Sequence, residues 1–148
     1  MQLSTKGRYA VMAMIDLASQ TAASGGEARA VALAAIAERQ QLSLAYLEQL
    51  FARLRRAGLV ESVRGPGGGY RLARPAAETN IAEVVTAVDE PLKATRCAGH
   101  GTGCMQGGAR CLTHDLWEET GRIIQDYFTG VSLADIANGQ FRKEARAA

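Results

Sequence analysis

Three cysteines and two histidines crowd one stretch of this 148-residue chain, Arg96-Cys97-Ala-Gly-His100-Gly-Thr-Gly-Cys104-Met-Gln-Gly-Gly-Ala-Arg110-Cys111-Leu-Thr-His114. Its pattern is C-x6-C-x6-C-x2-H, three soft sulfur donors and one imidazole, which makes four ligands. An odd number of cysteines cannot pair completely within one chain, so the cluster reads as metal or redox chemistry before disulfide. Cys111 and His114 stand at i, i+3 where a helix should begin, so both can face one point. Five glycines among residues 99–108 let a short loop fold around a bulky guest. Arg96 and Arg110 flank two of the donors and can offset thiolate charge. Structural zinc usually shows closer knuckles, with about two to four residues between cysteines. Gaps of six suit ligands reaching different irons of an iron-sulfur cluster. Zinc and a metal-free thiol switch remain alternatives. His100 competes for the fourth position, and His114 is preferred because a helix holds it.

A second set of residues suits nucleic acid. Ser43, Tyr46, Glu48 and Gln49 fall in the first turns of an expected helix, where a recognition helix meets base edges. Glu48 can accept from the N4 amine of cytosine, and Gln49 can pair with adenine through two hydrogen bonds. Arg53, Arg55 and Arg56 lie further along and suit phosphates. Arg64 stands at the foot of the tip Gly65-Pro66-Gly67-Gly68-Gly69. Glycine lets backbone approach a groove closely, and arginine is favoured in a narrow minor groove.

The elements that must position these groups can be read in order. Residues 5–19 form an expected helix, crowded by Tyr9, Val11, Met12, Met14, Ile15 and Leu17, with Ser4 or Thr5 as its cap. Val31 to Arg39 is a second, short helix. Ser43 caps a third, whose stripe Leu44, Leu47, Leu50, Phe51 and Leu54 should be buried, and Gly58 stops it. Residues 59–64 and 70–72 read as a hairpin around the glycine tip. Asn80 and Glu83 have capping-box spacing ahead of Ile81, Val84, Val85 and Val88. A long helix should run from about Thr113 to Thr129, and Ser132 caps a last short turn.

Two helices about a tight turn, followed by a glycine-rich hairpin, give the order of a winged helix-turn-helix. The expected fold class is mainly α with a small β-hairpin and a long C-terminal dimerisation helix. The expected divisions are a DNA-binding domain at 1–75, a connecting helix at 76–94, a cluster-binding loop at 95–112, and a dimerisation helix with a tail at 113–148. Leu116, Trp117, Thr120, Ile123, Ile124, Tyr127 and Phe128 make a stripe wide enough to face both its own domain and a partner. Two heads on a palindrome favour a homodimer.

Composition is that of a soluble globular protein. The hydrophobic fraction is 47% and the charged fraction 22%, which excludes a disordered or fibrous chain. Residues 1–75 hold 10 Lys+Arg against 5 Asp+Glu, and residues 76–148 hold 7 against 10, so +5 and −3 sum to the net +2. The basic half is the one expected to meet a polyanion. No apolar run approaches the ~18 residues of a membrane span, and the first residues do not read as a signal peptide, so a cytoplasmic location is expected. No nucleophile-and-base constellation supports an enzyme.

Together these residues resemble the IscR-type iron-sulfur transcription regulators. The resemblance covers nearly the whole chain and rests on Ser43-Leu-Ala-Tyr-Leu-Glu-Gln-Leu-Phe51, Ser62-Val-Arg-Gly-Pro-Gly-Gly-Gly-Tyr70, Ala94-Thr-Arg-Cys97 and Arg110-Cys-Leu-Thr-His114. It implies a homodimer holding a [2Fe-2S] cluster in each subunit, on Cys97, Cys104, Cys111 and His114. It implies DNA contacts from Ser43, Tyr46, Glu48, Gln49 and Arg64, control of cluster-assembly genes, and DNA site selection that depends on cluster occupancy. The family spacing is C-x5-C-x5-C-x2-H, so each gap here is one residue longer, which admits a different cluster or His100. Ala45 stands where a small hydroxyl residue is expected, so a contact there is lost. Relatives with three cysteine ligands hold [4Fe-4S] and sense nitric oxide or iron. The Cys-Leu-Thr-His match argues against that reading.

Overall fold

In the computed structural model, which describes residues 3–25, 27, 29–89, 94 and 103–142, the first helix begins where the Ser4 side chain accepts the Gly7 N–H at 3.1 Å. This helix, α1, spans Thr5–Ala23 and buries Ala10, Ala13, Met14, Leu17 and Ala18. It runs past the expected end because nothing breaks it before Ser24. Helix α2 is Leu33–Gln40, and Gln41 ends it in the left-handed region at φ 54°. Ser43 then accepts the Tyr46 N–H at 3.3 Å and opens α3, Leu44–Arg56. The chain turns out of α3 at Gly58, φ 75°, as the Leu59 N–H returns to the Leu54 carbonyl at 3.0 Å. Strands β1, Val60–Val63, and β2, Gly69–Leu72, pair antiparallel with Val60 opposite Leu72 and Val63 opposite Gly69. After a 3-10 turn at Ala76–Glu78 come α4, Ile81–Val88, α5, His114–Thr129, and α6, Leu133–Ala137. The fold is mainly helical with one small hairpin, as expected.

The expected capping box forms at α4, and Ser132 forms a second one at α6 where only a cap was expected. Asn80 and Glu83 exchange two 3.0 Å hydrogen bonds at the start of α4, and Ser132 and Asp135 do the same at α6. Burial pushes the Glu83 carboxyl up, but hydrogen bonds from Arg74 and the Asn80 N–H outweigh it and leave the pKa below its ordinary value. The caps fix where these helices start, and their apolar faces then close on α1. Ile81, Val84, Val85, Val88 and Leu133 join Met14, Leu17, Leu47, Leu50, Phe51 and Leu54 in one core. Fully burying each such side chain contributes about 1.5–3 kcal/mol.

Three expectations change. Val31 is not helical: its N–H and C=O exchange two 2.8 Å hydrogen bonds with Tyr70, so it adds an isolated bridge to the hairpin. Leu44 is 40% exposed, because the first turn of α3 projects beyond the core. The wing glycines serve the turn itself. Gly65, Gly67 and Gly69 have φ of 97°, 72° and 152°, and a Cβ on Gly68 would meet the Gly65 carbonyl oxygen at 2.8 Å.

One buried acid went unread in the apolar run of α1. Asp16, with 4% of its side chain exposed, receives Arg39 Nη2 at 2.6 Å, Arg39 Nε at 3.0 Å and Gln40 Nε2 at 2.8 Å. This clamp fixes the end of α2 just before the turn into α3. Arg39 is 38% exposed, so the carboxylate is the group that cannot reach water. Arg39→Met therefore strands a buried charge, and should cost about 3–5 kcal/mol in urea unfolding. Asp16→Asn leaves Arg39 free to solvate and should cost only about 1–2 kcal/mol. Equal or reversed losses would contradict this assignment.

Candidate functional site

The exposed end of α3 gathers most of the expected DNA-reading residues. Ser43, Glu48 and Gln49 are exposed, and Glu48 and Gln49 make no hydrogen bond or ion pair among the described residues. Ser43 already uses its oxygen as a helix cap, which leaves its O–H as a donor. Tyr46 is half-buried, with its ring edge-on to Tyr9 at 6.0 Å. The arginines are not equivalent. Arg53 Nη1 donates to the Val88 carbonyl at 2.8 Å, Arg55 Nη1 to Ser62 Oγ at 3.2 Å, and Arg56 Nε to the Ala52 carbonyl at 3.3 Å. Arg64, Gly65, Pro66 and Gly67 are exposed at the wing, and the Arg64 side chain has no partner among the described residues. Phe51 meets Tyr70 edge-on at 5.0 Å, so the core of α3 also carries the wing.

Sequence reasoning missed two exposed features of the head. Exposed Leu44 is an apolar group suited to a thymine methyl. Its place in a clean heptad-like stripe hid it. Lys6 and Arg8 are exposed cations without described partners, in the helix preceding the reading pair. Their charge was counted in the basic half but not placed.

Two of the expected metal ligands lie together. Cys104 Sγ lies 3.0 Å from His114 Nδ1, and His114 is buried at the first position of α5. Its Nε2 faces Glu118 Oε2 at 3.9 Å. Two chain reversals present Cys104. The Gly103 N–H donates to the Gly108 carbonyl, and the Met105 N–H to that of Ala109, both at 3.1 Å. Cys111 precedes the helix rather than starting it. Its carbonyl accepts the His114 N–H at 3.1 Å, and its Sγ lies 3.6 Å from Thr113 Oγ1. Cys97 and His100 lie outside the described residues. Arg110 pairs with exposed Asp115 at 3.4 Å.

Thiol and imidazole donors are soft enough for an iron-sulfur centre and also suit zinc. Zinc bonds of about 2.0–2.3 Å would draw every donor pair within about 4 Å. Cys104, Cys111 and His114 do not form a set within 4.8 Å; among the described residues only His114, Asp115 and Glu118 do. A two-iron cluster divides its ligands between two irons, and sulfur and imidazole donors suit it. Asp115 and Glu118 are exposed hard donors, matched to neither soft thiolates nor a closed site.

Helix α5 has two faces. His114 and Gly121 are buried inward, while Leu116 (58% exposed), Trp117, Ile123 and Tyr127 point outward. Beside it, Leu3, Val11, Met12, Tyr127, Phe128 and Phe141 line an apolar groove of about 300 Å³. No described helix is long and apolar enough to cross a membrane.

The chain matches relatives along almost its whole length. It is 57% identical over 136 residues to an HTH-type transcriptional regulator of Neisseria meningitidis, covering 92% of this chain and 87% of the relative. It is 51% identical over 140 residues to the HTH-type transcriptional regulator IscR of Escherichia coli, covering 95% and 82%. Among solved structures it resembles T. potens IscR, with a TM-score of 0.75 and 36% identity over 100% of this chain and 93% of that one. It also resembles CymR, the global cysteine regulator of B. subtilis, at TM-score 0.76 and 30% identity over 93% and 97%. These names agree with a non-enzymatic role. A model of the Rrf2 family, described as iron-dependent transcriptional regulators, matches residues 3–139. The chain therefore belongs to the Rrf2 family of transcriptional regulators.

Proposed function

We propose that this regulator senses an iron-sulfur cluster and reads palindromic DNA as a cytoplasmic homodimer. Cys97, Cys104, Cys111 and His114 would hold a [2Fe-2S] cluster, and its occupancy would alter which DNA sites are bound, including those of cluster-assembly genes. The observation that carries this reading is the 3.0 Å approach of Cys104 Sγ to His114 Nδ1 at the start of α5. The same helix bears the outward stripe of Leu116, Trp117, Ile123 and Tyr127. At 1.5 Å per residue its 16 residues span about 24 Å, enough to run along a partner. The ligand and the pairing surface thus share one rigid element. The cluster supplies a redox-active centre that can be lost or rebuilt. The chain supplies the soft donors and the buried imidazole, and it sets the wings and α3 helices of two heads against successive grooves.

The test is an iron and acid-labile sulfide assay on anaerobically purified protein. Iron and sulfide in equal amounts, with a red-brown colour, are expected. Stoichiometric zinc, or metal-free protein that cannot be reconstituted, overturns the proposal. DNA reading has its own test. Unpaired Glu48 is repelled by phosphate unless it meets a cytosine amine. Glu48→Ala should relax discrimination at one base pair by about 1–3 kcal/mol in competition binding. A uniform change in affinity for all duplexes would remove Glu48 from base reading.

A further inference from the structure

Arg53 lies on α3 one turn beyond Gln49 and three residues before Arg56, so all three share one strip. That strip runs from the base-reading end of α3 to the end of α4. The Arg53 guanidinium donates to the carbonyl of Val88, the last residue of α4, at 2.8 Å. Terminal helix carbonyls have no partner within their own helix, and a cation there also meets the negative end of the helix dipole. Among the described residues this is the only side-chain hydrogen bond between α3 and α4.

The position of Val88 gives the bond its meaning. The far end of α4 is fixed by its capping box, by Arg74 on Glu83 at 2.7 Å, and by the Ile81 N–H on the Val131 carbonyl at 2.9 Å. A disturbance from the following segment therefore enters at Val88 and Asp89. Cys97 is eight residues beyond Asp89, a tether of at most about 29 Å when fully extended. Fixing Cys97 restricts where Asp89 can lie. Arginine suits this place better than lysine, because its planar fork can hold Val88 with one N–H and offer others to a phosphate.

We infer that Arg53 is a positioning residue that couples the cysteine segment, through the C-terminal end of α4, to the base-reading strip of α3. The inference rests on the proposed cluster-sensing role. Its physical link, α3 to α4, can be tested without a cluster.

The first measurement uses the metal-free full chain and a duplex selected from a random pool by the wild-type protein. Adding the duplex should slow amide hydrogen exchange at residues 85–89 by about threefold or more in wild type, and not in Arg53→Met. No slowing in wild type, or equal slowing in both, overturns the link. The second compares Kd for that duplex between loaded and empty protein. Wild type should show a ratio within the usual range of allosteric coupling, about 5–150-fold, and Arg53→Met should bring it below about threefold. Iron and sulfide content should be unchanged by the substitution. Arg56→Met is the matched control, expected to weaken both forms by one factor and leave the ratio alone. If Arg53→Met does the same, Arg53 is a phosphate contact only and the inference fails. Wild type that takes up no iron and sulfide overturns the proposed function instead, and the exchange result then decides the link.

Discussion

Cys104→Ala should abolish bound iron and sulfide, as should Cys97→Ala and Cys111→Ala, without lowering the melting temperature of the metal-free protein. The two halves of this expectation have separate causes. Cys104 Sγ is one of two donors already at 3.0 Å, so its loss would remove a thiolate from the proposed ligand set. Yet Cys104 is exposed and Cys111 half-buried, and neither belongs to the core of Met14, Leu17, Phe51, Val84 and Leu133. The head therefore folds without them. His114→Ala should also lose the cluster, while His100→Ala should keep it. Absorbance and metal analysis on the five variants check this, and the opposite pair of results for the two histidines would move the fourth ligand to His100. His114→Ala differs from the cysteine variants in one respect. His114 is 8% exposed, so emptying its place should cost about 1–3 kcal/mol of stability as well.

Gly69→Ala should cost the wing more than any side-chain removal at its tip. Its φ of 152° disfavours any other residue, and an added Cβ would collide with the Val31 carbonyl and lie 2.7 Å from the Ala32 nitrogen. Both obstacles are backbone. Relief requires parting Val31 from Tyr70, which breaks two 2.8 Å hydrogen bonds. Backbone strain of about 1–3 kcal/mol and two hydrogen bonds of about 0.5–1.5 kcal/mol each give a loss of about 2–6 kcal/mol. DNA affinity should fall at least tenfold, because the wing would no longer be held against residues 31–32 and Phe51. Gly67→Ala is the comparison. Its Cβ would meet open space, so only the φ penalty of about 1 kcal/mol remains. Urea unfolding and duplex anisotropy on both variants check the pair; equal costs would mean that the Val31 bridge does not hold the wing.

Local signals in the chain translated well into structure. Ser43, Asn80, Glu83 and Ser132 mark helix starts because capping is a contact across three residues, and Gly58 marks a stop for the same reason. The cysteine spacing pointed to a shared centre; Cys104 Sγ lies 3.0 Å from His114 Nδ1, while Cys97 lies outside the described residues. What was hidden is long-range. Val31 pairs with Tyr70 across 39 residues, and a single bridge leaves no period to read. Asp16 looked like one polar residue in an apolar helix because its partners, Arg39 and Gln40, lie 23 and 24 residues away. Leu44 carried the right residue type at the right spacing, but burial depends on where the core ends. Arg53 read as one more cation on a basic helix, since only the packing of α4 brings a carbonyl to it.

The wing offers a small vocabulary to anyone who would retarget this regulator. Gly68 and Gly69 are closed by neighbouring backbone and cannot be varied without rebuilding the turn, while Gly65 and Gly67 face open space and carry only the cost of a positive φ. Pro66 and the adjoining Arg64 are the positions there that a substitution strains least. A library aimed at new operator sequences belongs on Leu44, Ala45, Glu48 and Gln49, where side chains stand in water on a helix whose stability is settled on its other face.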